Sequence, residues 1–235
     1  MWYTTRNAAG GTSMCTDYWR ESLLGDLTTK PGLLICAATE RELAAFGVPS
    51  TDMELLVTGV GIPLALARTL EALGRLRPSR VLNIGIAGAY PGSGLAIGDI
   101  VMGASEVYGD IGFELPETPG FRSVGEAEWG TFYREPLGLS KFAEFADLPV
   151  RPGCTVNSCT GTEETGRRRE TLFGAGFETM EGAAVAQAGA ILRIPVCEIR
   201  AISNFASRRD MRPENIALAL NCLREYFKIS REKLR

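Results

Sequence analysis

Short apolar runs alternate with helix-like stretches along this chain, and that alternation limits the fold more than anything else in the sequence. GLLICAAT (Gly32–Thr39), MELLVT (Met53–Thr58), RVLNIGI (Arg80–Ile86), Asp99–Val107, Pro152–Cys159 and PVCEIRAIS (Pro195–Ser203) read as buried strands. Between and after them, Glu40–Phe46, Pro63–Leu76, Glu163–Phe173, the Ala-rich Gly182–Leu192 and the amphipathic Pro213–Ile229 read as helices. Pro63 suits a first helical turn. Strands that alternate with helices argue an α/β fold with a largely parallel sheet. The 235 residues suit one domain. The pattern breaks at Gly109–Ser140, where prolines and scattered aromatics mark an active-site cover or an irregular excursion.

Composition excludes several functions. There is no histidine, which removes Ser-His-Asp and Cys-His catalysis and His-containing zinc sites. Acid–base work must fall to carboxylates, Lys, Tyr, Cys or water. Lys plus Arg number 25 against 28 Asp plus Glu, so a strongly basic nucleic-acid binder is ruled out. No apolar run approaches a membrane span, so no membrane partner is expected. The six cysteines form no CxxC, and several sit in apolar runs. They read as buried reduced thiols in a reducing compartment, the cytoplasm. Residues 1–31 are a mixed polar stretch without a signal-peptide core. They read as a loosely held N-terminal extension or a start placed too early, ahead of a domain over residues 32–235.

In an α/β sheet, ligands gather at the carboxyl ends of strands. Thr39-Glu40-Arg41-Glu42 follows the first strand. It is a capping box, with Glu42 reaching back to Thr39, or it presents Glu42 as a base. Asn83–Tyr90 (NIGIAGAY) follows the third strand; the turn at Ala87-Gly88 either packs on the sheet or lets backbone approach a ligand. It matches neither a dinucleotide nor a phosphate-loop pattern. Glu181 opens the Ala-rich helix, as a first-turn acid complementing the dipole or as a ligand for vicinal sugar hydroxyls. Asn204 ends the last strand, as a turn former or as a paired donor and acceptor. Arg167-Arg168-Arg169 reads as a solvated face, and Arg208-Arg209 as a solvated face or an anion contact.

Taken together, AATEREL (Ala37–Leu43), TGVG (Thr58–Gly61), NIGIAGAY followed by GDIV (Gly98–Val101), Met180–Ala184 and IRAISN (Ile199–Asn204) resemble the nucleoside phosphorylase/nucleosidase superfamily. SCTGT (Ser158–Thr162), YGDIGFE (Tyr108–Glu114) and SNFASRRD (Ser203–Asp210) make the chain most similar to its futalosine hydrolases. The resemblance implies a mixed central sheet flanked by helices, in a homo-oligomer. It implies cleavage of a nucleoside without metal or cofactor, in menaquinone biosynthesis. Glu42 would activate water. Met180 and Glu181 would hold the ribose. Ala87 and Gly88 would lie beside purine and nucleophile, and Thr160, Gly161 and Thr162 would meet the base. Asn204 stands where adenosine-directed relatives carry Asp, which points to a 6-oxopurine. Nucleosidases for methylthioadenosine, S-adenosylhomocysteine or aminodeoxyfutalosine, and a purine nucleoside phosphorylase, are the competing readings.

Overall fold

The computed structural model describes residues 30–116, 120–126, 135–208 and 212–234. All but the last two residues of the expected extension over 1–31 lie outside them, as do Cys15, Arg209 and Asp210. The strands are β1 (Leu33–Ala37), β2 (Met53–Val57), β3 (Arg80–Ala89), β4 (Ile100–Tyr108), β5 (Gly112–Glu114), β6 (Phe121–Ser123), β7 (Leu137–Gly138), β8 (Val150–Thr155), β9 (Phe177–Thr179) and β10 (Val196–Phe205). The helices are α1 (Glu40–Phe46), α2 (Ile62–Leu76), α3 (Glu163–Phe173), α4 (Gly182–Leu192) and α5 (Pro213–Ser230).

Strand β1 shows why the apolar runs are continuous rather than alternating. Leu33, Ile35 and Ala37 pack with Leu43 and Phe46 of α1 and Leu223 and Phe227 of α5. Leu34 and Cys36 face the other way, onto Ala72 and Leu73 of α2 and Val185 and Ala188 of α4. A strand covered on both faces has no position at which a polar side chain reaches water. Burying each such Leu or Ile is worth about 1.5–3 kcal/mol.

Among the described residues the main sheet is mixed. Parallel pairs β1–β2, β1–β3, β3–β10, β4–β8 and β8–β9 are joined by antiparallel β4–β10 and β3–β9. Following the pairings from β3 through β10, β4, β8 and β9 leads back to β3, so these strands close into a ring, with β1 and β2 extending from its side. The mixed sheet follows the family resemblance, and most of its pairings are parallel, as the strand pattern implies. The closing strand β9 is three residues long and carries no periodicity to read.

Two further boundaries differ from expectation. The Ala87-Gly88 turn is not a turn: β3 continues to Ala89, paired with β10 on one side and β9 on the other. Asn204 likewise lies within β10, opposite Gly88, after a register shift between Ile202 and Asn204. In the Gly109–Ser140 segment, β5 and β6 form a separate two-stranded ribbon. Cys36, Cys154 and Cys197 are buried free thiols, whereas Cys159 and Cys222 are only half-buried. No helix among the described residues is long and apolar enough to cross a membrane.

Candidate active site

The capping box at Thr39 is real. Thr39 is extended (φ −131°, ψ 157°); its side chain accepts from the Glu42 backbone N–H, and both its own N–H (3.0 Å) and its Oγ1 (2.7 Å) donate to Glu42 Oε2. The second carboxylate oxygen does something a cap does not require. Glu42 Oε1 accepts from the Ile86 N–H of β3 at 3.0 Å, so the side chain crosses from one strand end to the next. Glu42 is 7% exposed. A Cβ at residue 85 would lie 2.7 Å from Glu42 Oε1, so only Gly85 leaves the space.

Glu181 departs from its expected first-turn role. It stands at the N-cap of α4 without a side-chain cap bond. The first turn of α4 is satisfied instead by Thr179 Oγ1, which accepts from Gly182 N–H, and by Thr155 Oγ1, which accepts from Ala183 N–H. Glu181 Oε1 is thus left to accept from the Gly61 N–H at the start of α2, at 2.8 Å. Gly61 sits at φ 92°, a left-handed conformation suited to glycine. Burial raises the Glu181 carboxyl above its ordinary pKa; Arg200 and the Gly61 bond oppose the shift, and Glu42 and Glu198 add to it.

The bulge in β10 aims Asn204. Its Nδ2 donates to the Phe205 carbonyl at 3.0 Å, and its Oδ1 accepts from Ser203 Oγ at 3.0 Å. A carbonyl only accepts, so the amide orientation is set. One N–H and one acceptor lobe remain free on Asn204. Gly88 packs against this amide: a Cβ there would lie 3.0 Å from Asn204 Nδ2.

Thr160 is held by Glu178, which accepts from its N–H at 2.7 Å and its Oγ1 at 2.6 Å. Its donors are committed, so it shapes the wall rather than offering N–H or O–H to a ligand. Tyr90 and Arg169 also donate to Glu178 Oε2, both at 3.0 Å. Arg169 therefore corrects the solvated-face reading. Its side chain is 12% exposed and ties the Ser158–Thr160 loop to β9, while Arg167 in the same run is 71% exposed.

One cavity of about 340 Å³ collects Glu42, Glu181, Met180, Ala87, Gly88, Thr160 and Asn204, with Glu178 in its wall. That is the size of a small-molecule site. Gly161 and Thr162 are not among its lining residues. Both are exposed, and Thr162 instead caps α3, accepting from Thr165 N–H at 3.2 Å.

Arg200 was not among the expected site residues. It is 1% exposed, and its Nε donates to Glu198 Oε1 at 2.8 Å. Burial works against its charge, but Glu198, Glu181 and Glu42 outweigh that and raise its pKa. The signal was available in PVCEIRAIS: a Glu and an Arg two residues apart inside an otherwise apolar strand must be paired to be tolerated.

Residues 50–228 match the family model of the phosphorylase superfamily. The futalosine hydrolase of Thermus thermophilus is 36% identical over 173 residues, 72% of this chain and 76% of that protein. The futalosine hydrolase of Streptomyces coelicolor is 33% identical over 178 residues, 72% of this chain and 74% of that protein. A 5′-methylthioadenosine/S-adenosylhomocysteine nucleosidase of Listeria monocytogenes is 31% identical, covering 68% of this chain and 72% of that protein. In fold, a futalosine hydrolase mutant of Helicobacter pylori superposes with a TM-score of 0.69 at 17% identity, over 87% of this chain and 100% of that chain. With the matched segment running from before β2 to the last turns of α5, this chain belongs to the phosphorylase superfamily.

Proposed function

We infer that this protein is a purine nucleosidase that hydrolyses the N-glycosidic bond of futalosine, releasing hypoxanthine and dehypoxanthine futalosine. The observation that carries the reading is one cavity lined by the buried carboxylates of Glu42 and Glu181 and by an amide with one donor and one acceptor free. Cleavage places positive charge on the sugar and negative charge on the leaving purine. Glu42 orients the attacking water and takes its proton. Glu181 accepts from the ribose hydroxyls and stabilises the cationic ring, with Met180 packed on the sugar. Ala87 and Gly88 present backbone to the base. Asn204 donates to O6 and accepts from the N7–H that forms as the base leaves. An ionised Asp would set lone pairs against O6, and such mispairing costs about 1–3 kcal/mol. The similarity to futalosine hydrolases supports the same choice of base.

Phosphorolysis is the nearest rival. Arg41 is the one cation among the described lining residues, it is exposed, and the adjacent Glu42 disfavours a phosphate. The free thiols suit the cytoplasm. The family reading carries with it a homo-oligomer and a place in menaquinone biosynthesis. The test is incubation with futalosine, inosine and methylthioadenosine, with and without phosphate, followed by chromatography. Phosphate-independent release of hypoxanthine from futalosine is expected. Preferential release of adenine from methylthioadenosine would overturn the substrate, and a phosphate requirement would overturn the reaction.

A further inference from the structure

A second group of ionisable side chains lies behind the cavity and is unused by the chemistry just described. Glu106 on β4 and Glu198 on β10 are both 0% exposed. Glu198 Oε1 accepts from Arg200 Nε at 2.8 Å, with Asn83 Nδ2 at 3.4 Å. Glu106 Oε2 accepts from Thr155 Oγ1 at 2.7 Å. The remaining oxygens, Glu106 Oε1 and Glu198 Oε2, have no donor among the described residues. The two carboxyls nevertheless converge on one point of the backbone. Both crowd the Cα of Gly182, where a Cβ would lie 2.6 Å from Glu198 Oε1 and 2.7 Å from the Glu106 carboxyl carbon.

Two carboxylates have only acceptors to offer each other; a carboxylic acid beside a carboxylate makes a hydrogen bond. The surroundings favour keeping that proton. The groups facing the pair are Asn83 on β3, Cys154 and Thr155 on β8, Cys197 and Arg200 on β10 and Glu181 at the start of α4. Only Arg200 among them is a cation. Its one positive charge is shared among Glu198, Glu181 and Glu42, and at Glu106 it counts for less than burial and Glu198 do. Burial and the facing Glu198 push the Glu106 carboxyl well above the usual carboxylate range, outweighing the Thr155 bond and Arg200, which oppose them.

We propose that Glu106 holds a proton donated to Glu198, and that through Glu198 this pair positions Arg200 against the two cavity carboxylates, Glu42 and Glu181. Glu106 and Glu198 are positioning residues: neither lines the cavity. The assignment of a role in turnover rests on the reading of Glu42 and Glu181 given above.

Infrared spectroscopy in H₂O and D₂O tests the proton without reference to activity. At neutral pH the wild-type protein should show a deuterium-sensitive carbonyl stretch of a buried protonated carboxyl, and Glu106→Gln should remove it. Glu106→Gln keeps a neutral donor of the same shape, so it should fold and turn over close to wild type. Glu198→Gln leaves Arg200 without its ion partner and should lower kcat on the order of 100-fold with a smaller change in KM. Its acid limb should also move, because Glu181 loses a neighbouring charge. Absence of the band in wild type, or its persistence in Glu106→Gln, overturns the shared proton. If Glu198→Gln folds and keeps wild-type kcat and pH profile, the positioning role is overturned. If it does not fold, the decision passes to Glu106→Ala against Glu106→Gln. Loss of kcat in Ala that Gln restores supports positioning, and equal kcat in both refutes it. A wild-type protein that shows the band yet cleaves no nucleoside refutes the function and leaves the shared proton standing.

Discussion

Replacing Glu42 by Gln separates two roles that the structure joins in one side chain. The carboxylate accepts from Thr39 N–H and Thr39 Oγ1 on one oxygen and from Ile86 N–H on the other. A glutamine has one oxygen for these two sides. If it keeps the Thr39 contacts, its NH₂ meets the Ile86 N–H; if it keeps Ile86, its NH₂ meets the Thr39 donors. At least one donor is left unpaired either way, at about 1–3 kcal/mol of stability. The loss of a general base costs about 10²–10⁴ in rate, equivalent to roughly 3–5 kcal/mol in the barrier. Thr39→Val isolates the cap. It removes the Oγ1 bonds at about 0.5–2 kcal/mol but leaves the carboxylate with the two backbone N–H donors. Single-turnover release of hypoxanthine, measured well below the melting transition of each variant by circular dichroism, reads the rate per folded molecule. The expected result is comparable destabilisation in both variants, with the rate collapsing only in Glu42→Gln. If Glu42→Gln is destabilised but turns over like wild type, Glu42 is a helix cap and nothing more.

Other outcomes follow from the remaining site residues. Burial raises the Glu181 carboxyl above its ordinary value, so the acid limb of kcat/KM should lie higher than an unperturbed carboxylate would place it. The same raised value means that folding favours the protonated form. Glu181 therefore costs stability as pH rises from the unfolded pKa through the folded one, and Glu181→Gln should melt higher than wild type at neutral pH, the gain vanishing in acid. A 2′-deoxy substrate should lose much activity with wild type and little more with Glu181→Ala; an undiminished penalty would show that Glu181 does not touch the 2′-hydroxyl. Asn204→Asp should shift the kcat/KM ratio from 6-oxo toward 6-amino nucleosides by roughly 5- to 150-fold, the equivalent of about 1–3 kcal/mol, and paired kinetics would show an unchanged ratio if Asn204 has no contact with the base. Arg169→Met, which leaves Glu178 buried without its ion partner, should cost about 3 kcal/mol in urea unfolding. Arg167→Met, at an exposed pair with Glu163, should cost less than about 0.5 kcal/mol, and equal effects would refute the distinction drawn within the Arg run.

Much of the site was legible because its residues sit where chain pattern and chemistry coincide. Glu42 lies three residues after a Thr that ends a strand-like run, and Glu181 precedes a helix too small and apolar to need an acid for solubility. Gly161 and Thr162 looked equivalent to Thr160 by position, yet Thr160 is buried against Glu178 and the next two residues are exposed. Arg169 looked like its neighbours in the run, and only the fold brings Glu178 of β9 beneath it.

From the sequence alone come the alternation of strand and helix, the absence of imidazole chemistry and the strand ends at which a ligand would gather. These depend on residues near one another in the chain: apolar periodicity, a cap three residues long, a count of zero. Tertiary structure decided what depends on contacts between distant segments. It set the antiparallel joins that close the ring, the 120-residue reach from Glu181 to Gly61, and the pairing of Asn204 with Gly88. It also set the buried cluster around Arg200, where the electrostatics of each carboxyl depend on the others. A single buried charge is prohibitive alone and tolerable beside its partner, and no local pattern in a sequence says which distant strand will bring that partner.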